Sequence, residues 1–435
     1  MAEEITVFWF RRDLRLMDNH GLFQALESGR KVVPVFIFDT EILSQLENKE
    51  DRRVDFIFQA LQALNIFLAK SGKAIKILHG KPLQIFEKLI QEYDVKEVYC
   101  NTDYEPSARQ RDENIKSFLK TKGIDFLSFK DQVHFHEADI LKPDGTPYTI
   151  YTPYSKKWLL NYEMQEQEQY PSEKHLHQFI NLTSEPLSLK EIGFKKTTYQ
   201  FTAPVLDKNT VKNYHETRNF PTVKTSEMSV HLRFGTISVR SLAILARNLN
   251  ETYLKELIWR EFFMQILYHF PKVVNHSFKS KYDHINWLYD ESLLKKWQEG
   301  RTGYPIVDAG MRQLNETGFM HNRVRMVCAS FFTKHLLMDW RIGEAYFAEK
   351  LLDYDLSANN GNWQWSAGSG CDSAPYFRIF NPMEQQKKFD PDFIYIKKWI
   401  REFGTSDYPS PVVDHQMARE RALKTYKDGL ESAES

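Results

Sequence analysis

Short apolar runs alternate with amphipathic segments over about the first 130 residues of this chain. Five runs are almost wholly apolar: 5–10, 32–38, 74–78, 95–100 and 126–129. Between them hydrophobic positions recur with a helical period, most clearly over 55–68. Strands that are apolar on both faces are typical of a parallel sheet covered by helices. The pattern therefore predicts an α/β domain with a Rossmann-like parallel sheet over residues 1–130.

The strand signal ends after this region. Residues 131–197 combine weak periodicity with turn-forming residues such as Pro143, Gly145 and Pro153, which predicts a long connector that crosses the surface. From residue 198 to residue 435 helical periodicity dominates, and single glycines and prolines interrupt it. We therefore predict a large all-α domain over 198–435, with no extension after it.

Charge and cysteine content narrow the class of protein. Lys+Arg and Asp+Glu number 58 each, so a basic coat for non-specific nucleic-acid binding is not expected, although a local basic groove stays open. The three cysteines form no CxxC pair, which indicates neither a disulfide framework nor a thiolate zinc site. An acidic start before the first apolar run does not resemble a signal peptide, and no apolar stretch reaches membrane-spanning length. We expect a cytoplasmic protein.

Two segments of the helical region could hold an anion or a flat ligand. The segment 225–229 (TSEMS) opens a helical run, where hydroxyl and backbone N–H groups could bind a phosphate or form an ordinary N-cap. Further along, Glu256, Trp259 and Arg260 share one face of a helix that is apolar elsewhere. The carboxylate and the guanidinium must then pair with each other or line a cavity.

A third polar segment contains the pair Asp353 and Asp355. An Asp-x-Asp pair suggests a divalent metal, but the neighbours are amides and indoles, so we expect no metal there. His134 and His136 lack a third ligand at helpful spacing, and we expect them to be structural as well. Carboxylates beside Arg325 could instead bind a heterocyclic cofactor.

Standard catalytic motifs are absent from the sequence, which contains no G-x-S-x-G, no Walker A and no H-E-x-x-H. Chemistry would then have to reside in a cofactor. Seven of the nine tryptophans lie between Trp259 and Trp399. This density favours redox chemistry or photochemistry over hydrolysis.

Four motifs in fixed order resemble the photolyase/cryptochrome family, and within it the class I photolyases for cyclobutane pyrimidine dimers. The motifs are FWFRRDLR (8–15), ELIWREF (256–262), GYPIVDA (303–309) and NNGNWQW (359–365). The resemblance extends from about residue 7 to residue 389. It implies an N-terminal α/β domain, which can hold an antenna chromophore, and a C-terminal helical domain that binds one FAD non-covalently.

The resemblance also assigns roles to individual residues. Those implied to bind FAD are Tyr214, Thr225, Ser226, Met228, Ser229, Arg260, Asn322, Arg325, Asp353, Asp355 and Asn359. Those implied to bind the flipped-out dimer or its DNA are Glu256, Trp259, Asn322, Arg323, Met326, Trp365, Arg378 and Gln385. Those implied to carry electrons between the flavin and the surface are Trp363, Trp340 and Trp287. Glu256 would also stabilise charge on the dimer, and Asn359 would face the flavin nitrogen that gains a proton on reduction.

The implied activity is that of a DNA-repair lyase: an electron passes from photoexcited reduced FAD to a cyclobutane pyrimidine dimer in duplex or single-stranded DNA. The alternative is a cryptochrome-type photoreceptor without repair. Glu256 favours the enzyme, because many sensors resemble the pattern with a glutamine at this position. Ala108 and Val274 stand where some members hold folate with a Glu and a Lys, so a deazaflavin, FMN or no antenna is expected instead. We further expect a monomer without membrane contact.

Overall fold

The computed structural model describes residues 3–166, 168–184 and 187–433. These residues form two compact units that alternate along the chain. The first unit holds the residues up to 139 together with 159–206 and 227–248, and the second holds 140–158, 207–226 and the residues from 249 onward. The domain boundaries at residues 130 and 198 stay predictions.

The first unit contains the predicted parallel sheet. Its strands are β1 (Glu4–Phe10), β2 (Lys31–Asp39), β3 (Lys76–Gly80), β4 (Asp94–Asn101) and β5 (Asp125–Phe129). They pair in the order β3-β2-β1-β4-β5, and all pairs are parallel. Val7 and Trp9 of the central strand pack in one core with Val33 and Val98 of its neighbours. The α/β prediction is confirmed, because each apolar run overlaps a strand and its ends differ from those of the strand by at most two residues.

Helices connect these strands. They are α1 (His20–Leu26), α2 (Thr40–Leu43), α3 (Arg52–Ala69), α4 (Pro82–Glu92) and α5 (Pro106–Thr121). The helical period over 55–68 falls inside α3, whose buried residues include Phe56 and Leu61. Asp51 begins this helix by accepting a hydrogen bond from the N–H of Arg53 at 2.8 Å.

Part of the predicted connector is helical. The next helices are α6 (Tyr151–Met164), α7 (Lys208–Lys212), α8 (Tyr214–Thr217), α9 (Met228–Phe234) and α10 (Val239–Leu249). Within α6, Tyr154 and Trp158 are fully buried rather than on the surface. Pro153 misled the prediction: it lies in the first turn, where a helix tolerates proline because the missing N–H would have no helical partner.

The rest of the second unit is helical. Its helices are α11 (Glu251–His269), α12 (Glu291–Gln298), α13 (Pro305–Thr317), α14 (Asn322–Ser330), α15 (Trp340–Lys350), α16 (Leu356–Ala367), α17 (Pro382–Phe389), α18 (Ile394–Trp399) and α19 (His415–Ser432). A π-helical turn, Phe331–His335, directly follows α14. Among the described residues no strand follows β5, which confirms the all-α prediction.

The GYPIVDA motif supports the fold. The carboxylate of Asp308 is buried and accepts hydrogen bonds from the N–H and hydroxyl of Thr302, both at 2.7 Å, and from the Tyr408 hydroxyl at 2.6 Å. Gly303 has a φ of +76°, and a Cβ there would lie 2.4 Å from the backbone N of Pro411. Asp308 therefore holds two loops together, and its role is structural.

Candidate functional site

Glu256 lies on α11 and has a different partner from the one considered from the sequence. Its Oε1 is 2.6 Å from Nη1 of Arg218, and both side chains are about 30% exposed. Burial raises the pKa of Glu256, while the charge of Arg218 opposes this shift. Arg260 lies one helical turn further along, half-buried. The structure thus shows a Glu256–Arg218 ion pair, whereas the sequence left open a pair with Arg260 or a place in a cavity lining.

Arg218 belongs to a cluster of positive charge that the sequence did not reveal. Burial lowers the pKa of Arg323, and the nearby charges of Arg218 and Arg378 lower it further. Arg323 donates to Oδ1 of Asn219 at 2.6 Å and lies 4.6 Å from the ring centroid of Phe389. Arg378 is exposed. The three guanidinium groups form a local surface suited to phosphates, although the whole chain has no net charge.

Trp259 forms an aromatic wall on the same helix as Glu256. The ring of Tyr151 lies parallel to the indole, with centroids 3.6 Å apart and an interplanar angle of 6°. Phe262 and Phe263 approach the indole at 80° and 32°. The helix is tied to α6 by Glu261, which accepts from Nε1 of Trp158 at 2.7 Å. The orientation of the indole is therefore fixed by neighbours in both sequence and space.

A cavity in the helical unit brings together several of the residues singled out from the sequence. Five of the predicted FAD residues line it: Asn322, Arg325, Asp353, Asp355 and Asn359. Predicted substrate residues line it as well: Met326 and Trp365, with Asn322 in both sets. Trp363 completes the aromatic part of the lining.

Two polar side chains in the cavity hold each other in place. Arg325 donates from Nη2 to Oδ2 of Asp353 at 2.8 Å and from Nε to the carbonyl oxygen of Met320 at 2.7 Å. The other carboxylate oxygen of Asp353 is buried and has no hydrogen-bond partner among the described residues. A buried acceptor without a donor costs free energy, and a ligand N–H or O–H would satisfy it. This atom fits the ribityl or ring edge of a bound FAD.

Asp355 has a structural duty that the Asp-x-Asp spacing did not indicate. Its Oδ1 accepts from the N–H of Ser357 at 3.1 Å and from that of Ala358 at 3.3 Å, which makes it the N-cap of α16. In the part of the chain that the structure describes, no three His, Cys, Asp or Glu side chains are grouped to hold a metal ion.

Asn359 is oriented by the half-buried carboxyl group of Glu344. Its Nδ2 donates to Oε1 of Glu344 at 2.8 Å and to the Glu344 carbonyl oxygen at 3.1 Å. Burial raises the pKa of Glu344, and the hydrogen bond from Asn359 opposes this shift. Because both N–H directions are fixed towards Glu344, the amide oxygen of Asn359 is the atom available to a ligand in the cavity. Glu344 is a residue that sequence reasoning missed.

The TSEMS segment (225–229), in which the sequence placed a phosphate site or an N-cap, lies outside the cavity lining. Ser226 is within hydrogen-bond distance of the Tyr253 hydroxyl, at 2.9 Å, and Tyr253 meets the ring of Tyr214 edge-on. Glu227 precedes α9 with a φ of +54° and makes no side-chain cap bond, so the ordinary N-cap is not formed. Met228 and Ser229 belong to the first unit, whereas Thr225 and Ser226 belong to the second. None of these residues, nor Tyr214 or Arg260, is in the lining of the cavity described above.

The predicted electron-transfer tryptophans share a hydrophobic cluster. Trp363 and Trp340 are buried in it, and Trp287 packs against it half-buried. A Cβ on Gly343 would lie 2.2 Å from the Trp363 ring, so this glycine lets the ring lie against the backbone of α15. Trp340 begins α15 one helical turn earlier. Their role in electron transfer stays a prediction.

The remaining predicted residues lie outside the cavity lining. Gln385 is half-buried on α17. Ala108 is buried on α5, and Val274 ends a short 3-10 turn, Pro271–Val274. Neither Ala108 nor Val274 offers a polar side chain to a folate, so the antenna prediction stays as made.

An α/β unit with a five-stranded parallel sheet and a helical unit with a polar, tryptophan-lined cavity define a cofactor-binding protein of the flavoprotein class. The model for DNA photolyase matches residues 6–173, and that for the FAD binding domain of DNA photolyase matches residues 253–405. The chain therefore belongs to the DNA photolyase family, and it binds FAD. None of the described helices is long and apolar enough to cross a membrane.

Known proteins resemble the chain over nearly its whole length. Deoxyribodipyrimidine photo-lyase of Synechococcus sp. is 36% identical to this chain, and the alignment covers 98% of this chain and 97% of that protein. The crystal structure of a bacterial class III photolyase from Agrobacterium tumefaciens has a TM-score of 0.85 at 32% identity, with 99% and 98% coverage. That of a Synechocystis cryptochrome has a TM-score of 0.83 at 25% identity, with 98% and 99% coverage.

Proposed function

We propose that this protein is a deoxyribodipyrimidine photo-lyase that repairs cyclobutane pyrimidine dimers in DNA under blue light. Support comes from curated relatives of that name that match the chain end to end at 36% and 34% identity. Reduced FAD, once bound and excited, supplies the electron that splits the dimer. The residues of the chain bind the cofactor, bind the lesion and hold both in place.

One observation carries the proposal: several of the predicted cofactor residues and several of the predicted lesion residues line the same cavity. Arg325, Asp353 and Asn359 stand for the first group, and Met326 and Trp365 for the second. A donor and an acceptor that bind side by side in one cavity need no diffusible carrier between them. This arrangement favours repair at the flavin over a photoreceptor that signals through a partner.

In this proposal each residue has a limited task. Asn359 presents its amide oxygen to the flavin because Glu344 holds its N–H groups. Arg325 is fixed by Asp353 and offers positive charge to the cofactor. Trp259 and Trp365 give aromatic faces to an extruded dimer, whose weakened stacking makes extrusion easier. Arg218, Arg323 and Arg378 bind phosphates beside the lesion.

The test is dimer reversal with and without light. The purified protein, loaded with FAD and reduced, is mixed with an oligonucleotide that contains one thymine dimer. We expect reversal under blue light and none in the dark, in duplex and in single-stranded DNA. Normal FAD binding with no reversal under light would contradict the proposal and favour the cryptochrome-type alternative. Size-exclusion chromatography with light scattering tests the expected monomer in the same preparation.

Glu256 is expected to matter for repair more than for cofactor binding. Glu256→Ala should retain FAD and repair roughly 10-fold less per absorbed photon, because a hydrogen bond to a charged group contributes about 1.5 kcal/mol. Glu256→Gln should retain more activity, since an amide N–H can donate to a base carbonyl of the dimer. The measurement is the quantum yield of reversal beside the FAD absorbance of each variant.

A matched control for this change lies on the same helix. Glu251→Gln removes a carboxylate that pairs with Lys255 at the surface, at 2.7 Å, and should leave the quantum yield unchanged. A wild-type yield in Glu256→Ala would remove Glu256 from the mechanism. Loss of FAD from that variant would show instead that the ion pair with Arg218 is structural.

A further inference from the structure

Tyr151 contacts the aromatic wall from a part of the chain that the sequence predicted to be a connector. It is the first residue of α6 and is only 9% exposed. Its ring covers one face of the Trp259 indole, nearly parallel and with centroids 3.6 Å apart. This separation and angle are those of a stacked aromatic pair.

Two hydrogen bonds hold Tyr151 in that position. Its hydroxyl donates to the carbonyl oxygen of Lys255 at 2.9 Å, which joins the ring to the helix that carries Trp259. Its backbone N–H donates to Oδ2 of Asp372 at 3.1 Å. The edge of the ring meets Phe262 at 75°. The ring is therefore fixed at both its hydroxyl end and its backbone end.

The geometry points to a positioning role: we infer that Tyr151 fixes the plane of Trp259 so that the opposite face of the indole receives a base of the extruded dimer. The inference rests on the proposed function, because it concerns the lesion bound by that site. A lesion base stacked there completes a three-layer stack of Tyr151, Trp259 and pyrimidine. An indole held in this plane loses little rotational freedom when the lesion binds, which favours binding. Tyr151 itself need not touch the dimer.

The experiment measures dissociation constants in the dark for DNA with one thymine dimer and for the same DNA undamaged. In Tyr151→Leu we expect the constant for dimer DNA to rise roughly threefold to tenfold, the range of one aromatic pair, with no change for undamaged DNA. Tyr151→Phe keeps the stacked ring and loses only the hydroxyl. It should stay within about twofold of wild type.

Tyr154→Leu is the matched control for structural damage. Tyr154 is on the same helix and more deeply buried, 1% exposed against 9% for Tyr151, and its ring meets Phe262. If the two leucine variants lose dimer affinity equally, or if Tyr151→Leu weakens binding of both DNAs alike, the loss is structural and the inference is wrong. An unchanged constant in Tyr151→Leu also overturns it. Wild-type protein that does not prefer dimer DNA would instead overturn the proposed function, which separates the two failures.

Discussion

Trp363→Phe is expected to slow the light-driven reduction of bound FAD at least ~10-fold, which corresponds to about 1.4 kcal/mol or more of added barrier. Trp363 lines the candidate cofactor cavity and lies in the cluster that also holds Trp340. A phenyl ring is much harder to oxidise than an indole, so the substitution removes the first step of transfer while it nearly preserves shape. The measurement is the fall of oxidised-flavin absorbance under blue light with a thiol present.

A neighbouring tryptophan provides the control. Trp297 is fully buried, and its ring centroid lies 6.2 Å from that of Trp363. Trp297→Phe should reduce FAD at the wild-type rate if transfer runs through Trp340 and Trp287. Equal slowing in both variants would contradict the predicted order of tryptophans, and wild-type reduction in Trp363→Phe would exclude Trp363 from the route. Repair by protein that was chemically reduced beforehand should be unaffected in Trp363→Phe.

The sheet could be predicted from the sequence because its central strand is apolar on both faces. No side chain of β1 after Glu4 is exposed, and Thr6 is the one hydroxyl residue in an otherwise apolar run. The α6 helix could not be predicted in this way. Pro153 in its first turn reads as a turn signal. Burial of Tyr154 and Trp158 by tertiary packing, which a local pattern does not contain, decides the outcome.

The residues of the candidate site also divide into those that the sequence identified and those that it could not identify. Arg325, Asp353 and Asn359 lie close along the chain or on neighbouring helices, and motif resemblance singled them out together. Arg218 and Tyr151 come from segments with no motif, and their partners Glu256 and Trp259 are more than thirty residues away. An ion pair or a ring stack between distant segments leaves no periodic signal in the sequence. Such residues can be found only once the fold places them together.

Acidification from about pH 7 to about pH 5 is expected to destabilise the protein, because three buried histidines are neutral in the folded state. Burial lowers the pKa of His231 and His321 to about 4 and that of His335 to about 3. In the unfolded chain these rings titrate near ~6.5, so the unfolded state binds more protons and stability rises with pH. The stability that the three neutral rings contribute is complete above about pH 6.5. It is lost as the pH falls towards the pKa values of the rings in the folded protein. At about pH 5 each of the three rings lowers the free energy of unfolding by about 2 kcal/mol.

His321 connects this loss of stability to the candidate site. It is the N-cap of α14, and its Nδ1 accepts from the N–H of Arg323 at 3.2 Å, which only the neutral ring can do. Asparagine is also a good N-cap and does not titrate. In urea unfolding at about pH 7 and about pH 5, His321→Asn should therefore lose about 2 kcal/mol less than wild type on acidification. It should also retain more FAD at the lower pH, because α14 carries Arg325. The same substitution at the exposed His284 should leave the loss unchanged. An equal loss in wild type and His321→Asn would show that this ring does not bind the proton.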